Sequence, residues 1–235
     1  VIEIIDHAVA RYGNKVKFLN FREAAERLQK HLLLDQPLRT RNGSENGVRL
    51  LDINQDGYLD LLIANDQVQR TRIWSPAEKK WQNSPFPTDL RGPATRFGIR
   101  GEDLVAIRLT DTERQGWSWQ DNAWSVDPAL TRGLEQVFTA QSGVDQGFRL
   151  RDANGDGRSE VIVANEDSQQ IFQWSDTGWV AASLSWPTAA WIVDSEGRDA
   201  GLRFVDVDED GFDDLLFSNE QRYSLTLWNG NTAGK

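Results

Sequence analysis

A pattern of nineteen residues occurs three times in this chain and limits its fold more than any other feature: "GVRLLDINQDGYLDLLIAN" from Gly47, "GFRLRDANGDGRSEVIVAN" from Gly147 and "GLRFVDVDEDGFDDLLFSN" from Gly201 align position for position. Such recurrence means that one supersecondary unit is used repeatedly and buries its apolar faces against its neighbours. The starts lie 100 and then 54 residues apart, so the longer gap has room for two units. The missing one is present in reduced form as "TRFGIRGEDLVAIRL", where the acidic loop has shrunk to a tight turn around Arg100 and Gly101. Four units of roughly 50 residues result, within the period range of propellers and arrays.

Each unit predicts the same internal plan: a first strand such as GFRL, the acidic loop, a second strand such as EVIVAN, a third such as QQIFQW, and a fourth opened by tryptophan. The closing hairpins run from Trp74 to Trp81, Trp119 to Trp124 and Trp174 to Trp179. A second strand that is apolar throughout needs both faces covered, and an antiparallel sheet achieves this when stacked between two others, as in a β-propeller. The expected fold class is therefore mainly β, with propeller blades over 47–93, 94–143, 147–198 and 201–235. The last blade is expected to be incomplete, because the sequence given stops where the strand after Trp228 should begin.

The first residues follow a different pattern. "IEIIDHAVARYG" has helical apolar spacing, "VKFLN" reads as a strand, and Asn20 with Glu23 forms a capping box opening the helix "FREAAERLQKHLL". Residues 1–34 are thus expected to be a short α/β helix-strand-helix segment. The Pro-, Gly- and Asn-containing stretch over 35–46 reads as a linker.

Loop chemistry raises the functional question. Twelve of the 36 acidic residues lie in the three loops, where unscreened repulsion would spread the chain. Oxygen-bearing side chains recur at loop positions 1, 3, 5 and 9: Asp52, Asn54, Asp56, Asp60; Asp152, Asn154, Asp156, Glu160; Asp206, Asp208, Asp210, Asp214. Position 6 is always glycine, which allows the curl that turns the carbonyl of Tyr58, Arg158 or Phe212 inward as a further ligand. A Ca²⁺ ion takes about 6 to 8 oxygens, so alternating side chains of one curled loop can converge on it. An EF-hand needs a bidentate Glu at position 12, whereas Ile63, Val163 and Phe217 stand there, inside a strand. The alternative is a metal-free Asx-rich turn, since Asp, Asn and Gly favour turns anyway.

These loops resemble the calcium-binding repeats of FG-GAP or VCBS type, the β-propeller blades also found in integrin α subunits. The resemblance covers 47–235, although the blades open on GVR, GFR and GLR rather than the family's Phe-Gly/Gly-Ala-Pro signature. It implies up to three Ca²⁺ ions and a periplasmic, extracellular or cell-surface place in a bacterium. Separately, "YGNKVKFLNFREAAERLQKHLL" resembles the C-terminal end of a bacterial polysaccharide deacetylase domain, as in large multidomain planctomycete proteins. Those enzymes use an Asp and a His-x-x-x-His pair, while the chain has only His7 and His31, which are 24 residues apart.

Composition narrows the partners. A net charge of −10 argues against nucleic acid, and no apolar run reaches the ~20 residues of a membrane span. Cysteine is absent, which removes disulfides and thiolate chemistry. With no methionine and a start at Val1, the chain reads as an excised piece of a longer protein whose other domains are partners. No catalytic residues are expected in it. Ten tryptophans can either pack between blades or stack on sugars, and Trp186 and Trp191, flanking "PTAA" between blades, are the binding candidates. Two readings follow: a non-catalytic, calcium-binding module that engages a glycan or a protein, or a structural part of a multidomain enzyme.

Overall fold

In the computed structural model, which describes residues 2–54, 56–84, 90, 92–101, 103–120, 123–183 and 186–229, each repeat folds into its own antiparallel sheet. The first contains β1 (Val48–Leu51), β2 (Asp60–Ala64), β3 (Gln69–Ser75) and β4 (Lys80–Ser84). The second contains β5 (Arg96–Arg100), β6 (Asp103–Leu109), β7 (Arg114–Gln120) and β8 (Ala123–Val126). A small hairpin, β9 (Ala140–Gln141) with β10 (Val144–Asp145), leads into the third, made of β11 (Phe148–Arg151), β12 (Glu160–Ala164), β13 (Gln169–Ser175) and β14 (Gly178–Ala181). The fourth has β15 (Leu202–Val205), β16 (Asp214–Ser218) and β17 (Tyr223–Thr226). The four sheets are arranged as the blades of a β-propeller, and strands pair in chain order within each. The residues from 230 on, where a fourth strand of the last blade is expected, lie outside the described residues.

Burial follows from strand periodicity. Successive side chains point to opposite faces of a sheet, and in β12 Val161 and Val163 join the core shared with Val105, Ile107 and Leu109 of the second blade. Ile162 and Ala164, pointing the other way, pack with Leu215 and Phe217 of the fourth. An all-apolar second strand is thus the mark of a blade clamped from both sides. Close approach is possible because Gly98 in β5 faces Leu150 and Ser159: a Cβ there would lie 2.5 Å from the Leu150 Cβ.

The middle blade replaces the acidic loop by a turn in which Arg100 pairs directly with Asp103. The tryptophans predicted to close the hairpins are cross-strand partners, Trp74 with Trp81, Trp119 with Trp124 and Trp174 with Trp179, their ring centroids 5.1–5.3 Å apart.

Two compact units divide the chain, Val1–Pro37 and Leu38–Lys235. In the first, α1 (Ile2–Tyr12) and α2 (Phe21–Arg27) are helical, α2 running on through a π-helical turn at Leu28–Leu32. The Asn20 side chain accepts from the Glu23 N–H and the Glu23 carboxylate from the Asn20 N–H, forming the predicted capping box. The strand expected at "VKFLN" does not form. Residues 16–20 leave the first helical segment in an extended conformation at Val16, but among the described residues nothing offers the ladder partner a strand requires.

The stretch from Leu38 to Asn46, within the expected linker, contains backbone pairing. Arg39 bridges to Glu45, and the Thr40 N–H donates to the Ser44 carbonyl, in a small hairpin. Val193 bridges Asp199 in the same way, and Ala140–Asp145 forms the equivalent hairpin before the third blade. Each of these blades is therefore introduced by a hairpin, and the Asp199 N–H donates to the Gly43 carbonyl, joining the hairpins of the first and last blades.

Candidate metal-binding loops

Each acidic loop connects the first strand of its blade to the second, so all three lie at the same end of their sheets. Their carboxylates first of all hold the backbone. At position 1, Asp52 accepts from the N–H groups of Asp56 and Gly57 at 3.0 and 2.8 Å. Asp152 receives those of Gly155, Asp156 and Gly157, and Asp206 those of Asp210 and Gly211. Position 5 receives the N–H of position 7: Tyr58 on Asp56, Arg158 on Asp156 and Phe212 on Asp210. Gly57, Gly157 and Gly211 have φ of 85°, 80° and 93°, the left-handed region that glycine enters without a Cβ clash.

Position 9 is the buried anchor. Asp60 accepts from the N–H groups of Ile53 and Trp74, and Asp214 from those of Val207 and Trp228, so one carboxylate ties the loop to the third strand or its continuation. Glu160, one methylene longer, likewise accepts from the position-2 N–H, that of Ala153, and also from the Asn154 amide. Burial pushes the Glu160 carboxyl up to about 7, with the Asp156 and Asp152 charges adding to the effect. Asp60 is displaced upward too, chiefly by burial and then by Asp56 and Asp52, against the hydrogen bonds from Trp74 and Ile53.

The third loop brings its acids together most closely. Oxygens of Asp206, Asp208 and Asp210 all lie within 4.8 Å of one another. A Ca²⁺ ion holds its oxygens at 2.3–2.6 Å, which places pairs of ligand atoms up to about 5 Å apart across the ion. This donor set therefore fits one hard cation. Crowding is visible in Asp208, whose carboxyl is shifted upward by desolvation and by the neighbouring Asp210, Asp214 and Asp206.

In the other two loops asparagine stands at position 3. The Asn54 amide nitrogen donates to Asp56 and that of Asn154 to Glu160, each satisfying the carboxylate an ion would otherwise take. Half a turn of either amide presents the oxygen instead. The N–H groups of Tyr58, Arg158 and Phe212 are bound to position 5, and Gly157 next to Arg158 accepts from Gly101 across the blade boundary.

Trp186 and Trp191, the candidate ligand-stacking residues, lie partly buried against the core of the third and fourth blades. The Trp186 indole N–H donates to the Ala190 carbonyl at 2.6 Å, and the Arg222 guanidinium stacks 4.8 Å above the Trp191 ring. Trp179 and Trp228 are buried, and their indole N–H groups reach the Leu130 and Ala153 carbonyls of other segments. His7 and His31 both lie in the N-terminal helical unit.

A second polar centre went unnoticed in the sequence. The hairpins place Glu45, Asp145 and Asp199 three residues before the first strands, each paired with the arginine four residues on, Arg49, Arg149 or Arg203. Arg96 of the second blade joins at 2.9 Å from Asp145. The signal was present as Gly-x-acid-x-Gly, at Gly43–Gly47, Gly143–Gly147 and Gly197–Gly201, but the alignment above starts at the second glycine.

Residues 152–217 match the family model described as the FG-GAP-like repeat. That match runs from the second acidic loop to the second strand of the last blade, and so identifies the repeat in the blades that carry those loops. Among solved structures, one of an Agrocybe aegerita lectin, titled for specific recognition of non-reducing terminal N-acetylglucosamine, is 13% identical with a TM-score of 0.50. The alignment covers 79% of this chain and 50% of that one, and it supports the fold alone. A Photorhabdus luminescens Tc holotoxin pore structure is 19% identical over 85% of this chain and 10% of its own, with a TM-score of 0.44. The chain thus spans half the length of the first and a tenth of the second. No curated protein matches it in sequence.

Proposed function

We propose that the chain is a non-catalytic, calcium-binding FG-GAP-type propeller segment that presents its blades as a platform for a glycan or protein ligand outside the cytoplasm. The observation that carries this reading is the convergence of the Asp206, Asp208 and Asp210 oxygens on one cation-sized space. Asp214 of this loop, and the sets Asp52, Asn54, Asp56, Asp60 and Asp152, Asn154, Asp156, Glu160, supply the same kinds of oxygen. When bound, Ca²⁺ supplies positive charge that cancels carboxylate repulsion. The chain's own part is to hold the loops curled, through the backbone N–H groups that the carboxylates already accept. Extracytoplasmic placement is supported by the repeat type, and no helix among the described residues is long and apolar enough to cross a membrane.

A second reading, the structural part of a multidomain enzyme such as a polysaccharide deacetylase, is favoured by the N-terminal unit. Its helices α1 and α2 carry the apolar residues Ile2, Ile4, Val9 and Phe21, none of them buried within the unit, which a neighbouring domain would cover.

Melting the chain in calcium and in chelator tests the first reading. A ligand that binds only the folded state adds RT ln(1 + [L]/Kd), about 2.7 kcal/mol at a hundredfold excess over Kd. The melting temperature is expected to rise by several degrees in calcium and to rise less in Asp208→Ala. Equal melting in both buffers would reject calcium binding and leave metal-free turns. A screen of immobilised glycans in the same two buffers reads out the ligand.

A further inference from the structure

The first strands of blades one to three surround a cavity of about 670 Å³, within the range of small-molecule sites. Its two ends differ in charge. At the end where the strands begin stand Arg49, Arg96 and Arg149; three residues further along, roughly 10 Å at strand rise, stand Asp52 and Asp152. Between them the wall is apolar, made by Leu50, Ile99 and Leu150.

The arginine end has more positive than negative charge. Arg49 lies 2.5 Å from Glu45, Arg96 2.9 Å from Asp145, and Arg149 reaches both acids at 3.3 and 3.0 Å. Three guanidiniums thus share two carboxylates, and Glu45 is drawn upon by Arg39 as well, at 2.7 Å. Burial, together with repulsion from Arg96 and Arg149, lowers Arg49 to about 10 despite Glu45 beside it. An uncompensated buried charge is costly, and a further anion removes the cost.

We propose that this channel binds a small organic monocarboxylate, with its carboxylate at the Arg49–Arg96–Arg149 end and an apolar body along Leu50, Ile99 and Leu150. Planar guanidinium groups recognise a carboxylate through paired hydrogen bonds. The difference between the guanidinium end and the apolar wall fixes the ligand's direction. The clustered guanidiniums favour an anionic group, and the apolar wall gives a body-bearing ligand an advantage over a bare ion.

Titration calorimetry and melting of the full chain test this with three probes: benzoate, its neutral analogue benzyl alcohol, and inorganic phosphate. Benzoate is expected to bind and to raise the melting temperature, and benzyl alcohol to do neither. Arg49→Gln is expected to weaken benzoate about tenfold or more, the scale of a lost charged hydrogen bond. Since Arg49 is half-buried and ion-paired to Glu45, that variant can lose its fold, and Leu50→Trp decides independently. Leu50 is 39% exposed and lines the channel, so the indole fills it while every charged residue stays in place. It is expected to abolish benzoate binding while melting like the parent chain. Equal binding of benzoate and benzyl alcohol, or undiminished benzoate binding in Leu50→Trp, would overturn the proposal; phosphate binding as tight as benzoate would overturn the assignment to carboxylates.

Discussion

Asp145 is reached by guanidiniums from two blades, Arg96 of the second and Arg149 of the third, and also accepts the Gly147 N–H. Burial alone would raise its pKa, but the two arginines and the hydrogen bonds hold the carboxyl far below the ordinary range. The folded state therefore binds fewer protons than the unfolded chain near pH 4. This contribution to stability is complete above the unfolded value and is lost as the pH falls below it. Asp145→Asn is predicted to cost about 3 kcal/mol at pH 7, as when one partner of a buried ion pair is removed. Denaturant unfolding across pH should also show a flatter acid decline for the variant below about pH 5; an unchanged slope would remove Asp145 from the acid sensitivity. The residue was hidden from sequence reading because its partners come from different repeats. Arg96 stands at the start of a blade with no acidic loop, where nothing local distinguishes it from a surface arginine.

Among the elements, the closing hairpins show how equal sequence positions acquire unequal weight. Trp81 and Trp179 both pair across a strand with a tryptophan, yet Trp179 is buried against Leu130 and Leu134, while Trp81 is half-buried under Arg72. Trp179→Ala is predicted to destabilise by about 3–5 kcal/mol, and Trp81→Ala by clearly less, since the larger cost needs a cavity in a packed interior. Chemical denaturation of the two variants checks the order, and equal losses would contradict it. Cross-strand pairing was legible from the spacing of the tryptophans; what covers Trp179 is the segment 128–134, whose 3₁₀ turn carried no periodic signal. The opposite failure occurred at "VKFLN", where β-type composition was present but no partner strand was at hand. The acid of position 9 also survives in the second blade as Asp103, in register with Asp60, Glu160 and Asp214 on their strand pairs, although the loop itself is gone.

For the molecule as a whole, four blades were readable because repetition supplies its own comparison: a position that is apolar in three units is a packing position even when each occurrence alone is ambiguous. The hairpins before the blades were not readable as such, since Thr40–Glu45, Ala140–Asp145 and Asp194–Asp199 share little beyond a glycine and an acid. The acidic loops are legible from their composition, and their backbone N–H groups face the carboxylates, leaving further lone pairs for a cation. The central claim is that these oxygens converge on calcium-sized cations. Crystals grown with terbium, which replaces calcium and scatters anomalously, test it most directly. Anomalous peaks are predicted inside the loops at 52–60, 152–160 and 206–214, with the third lost in Asp208→Ala; a map with no anomalous density in any of the three loops would contradict it.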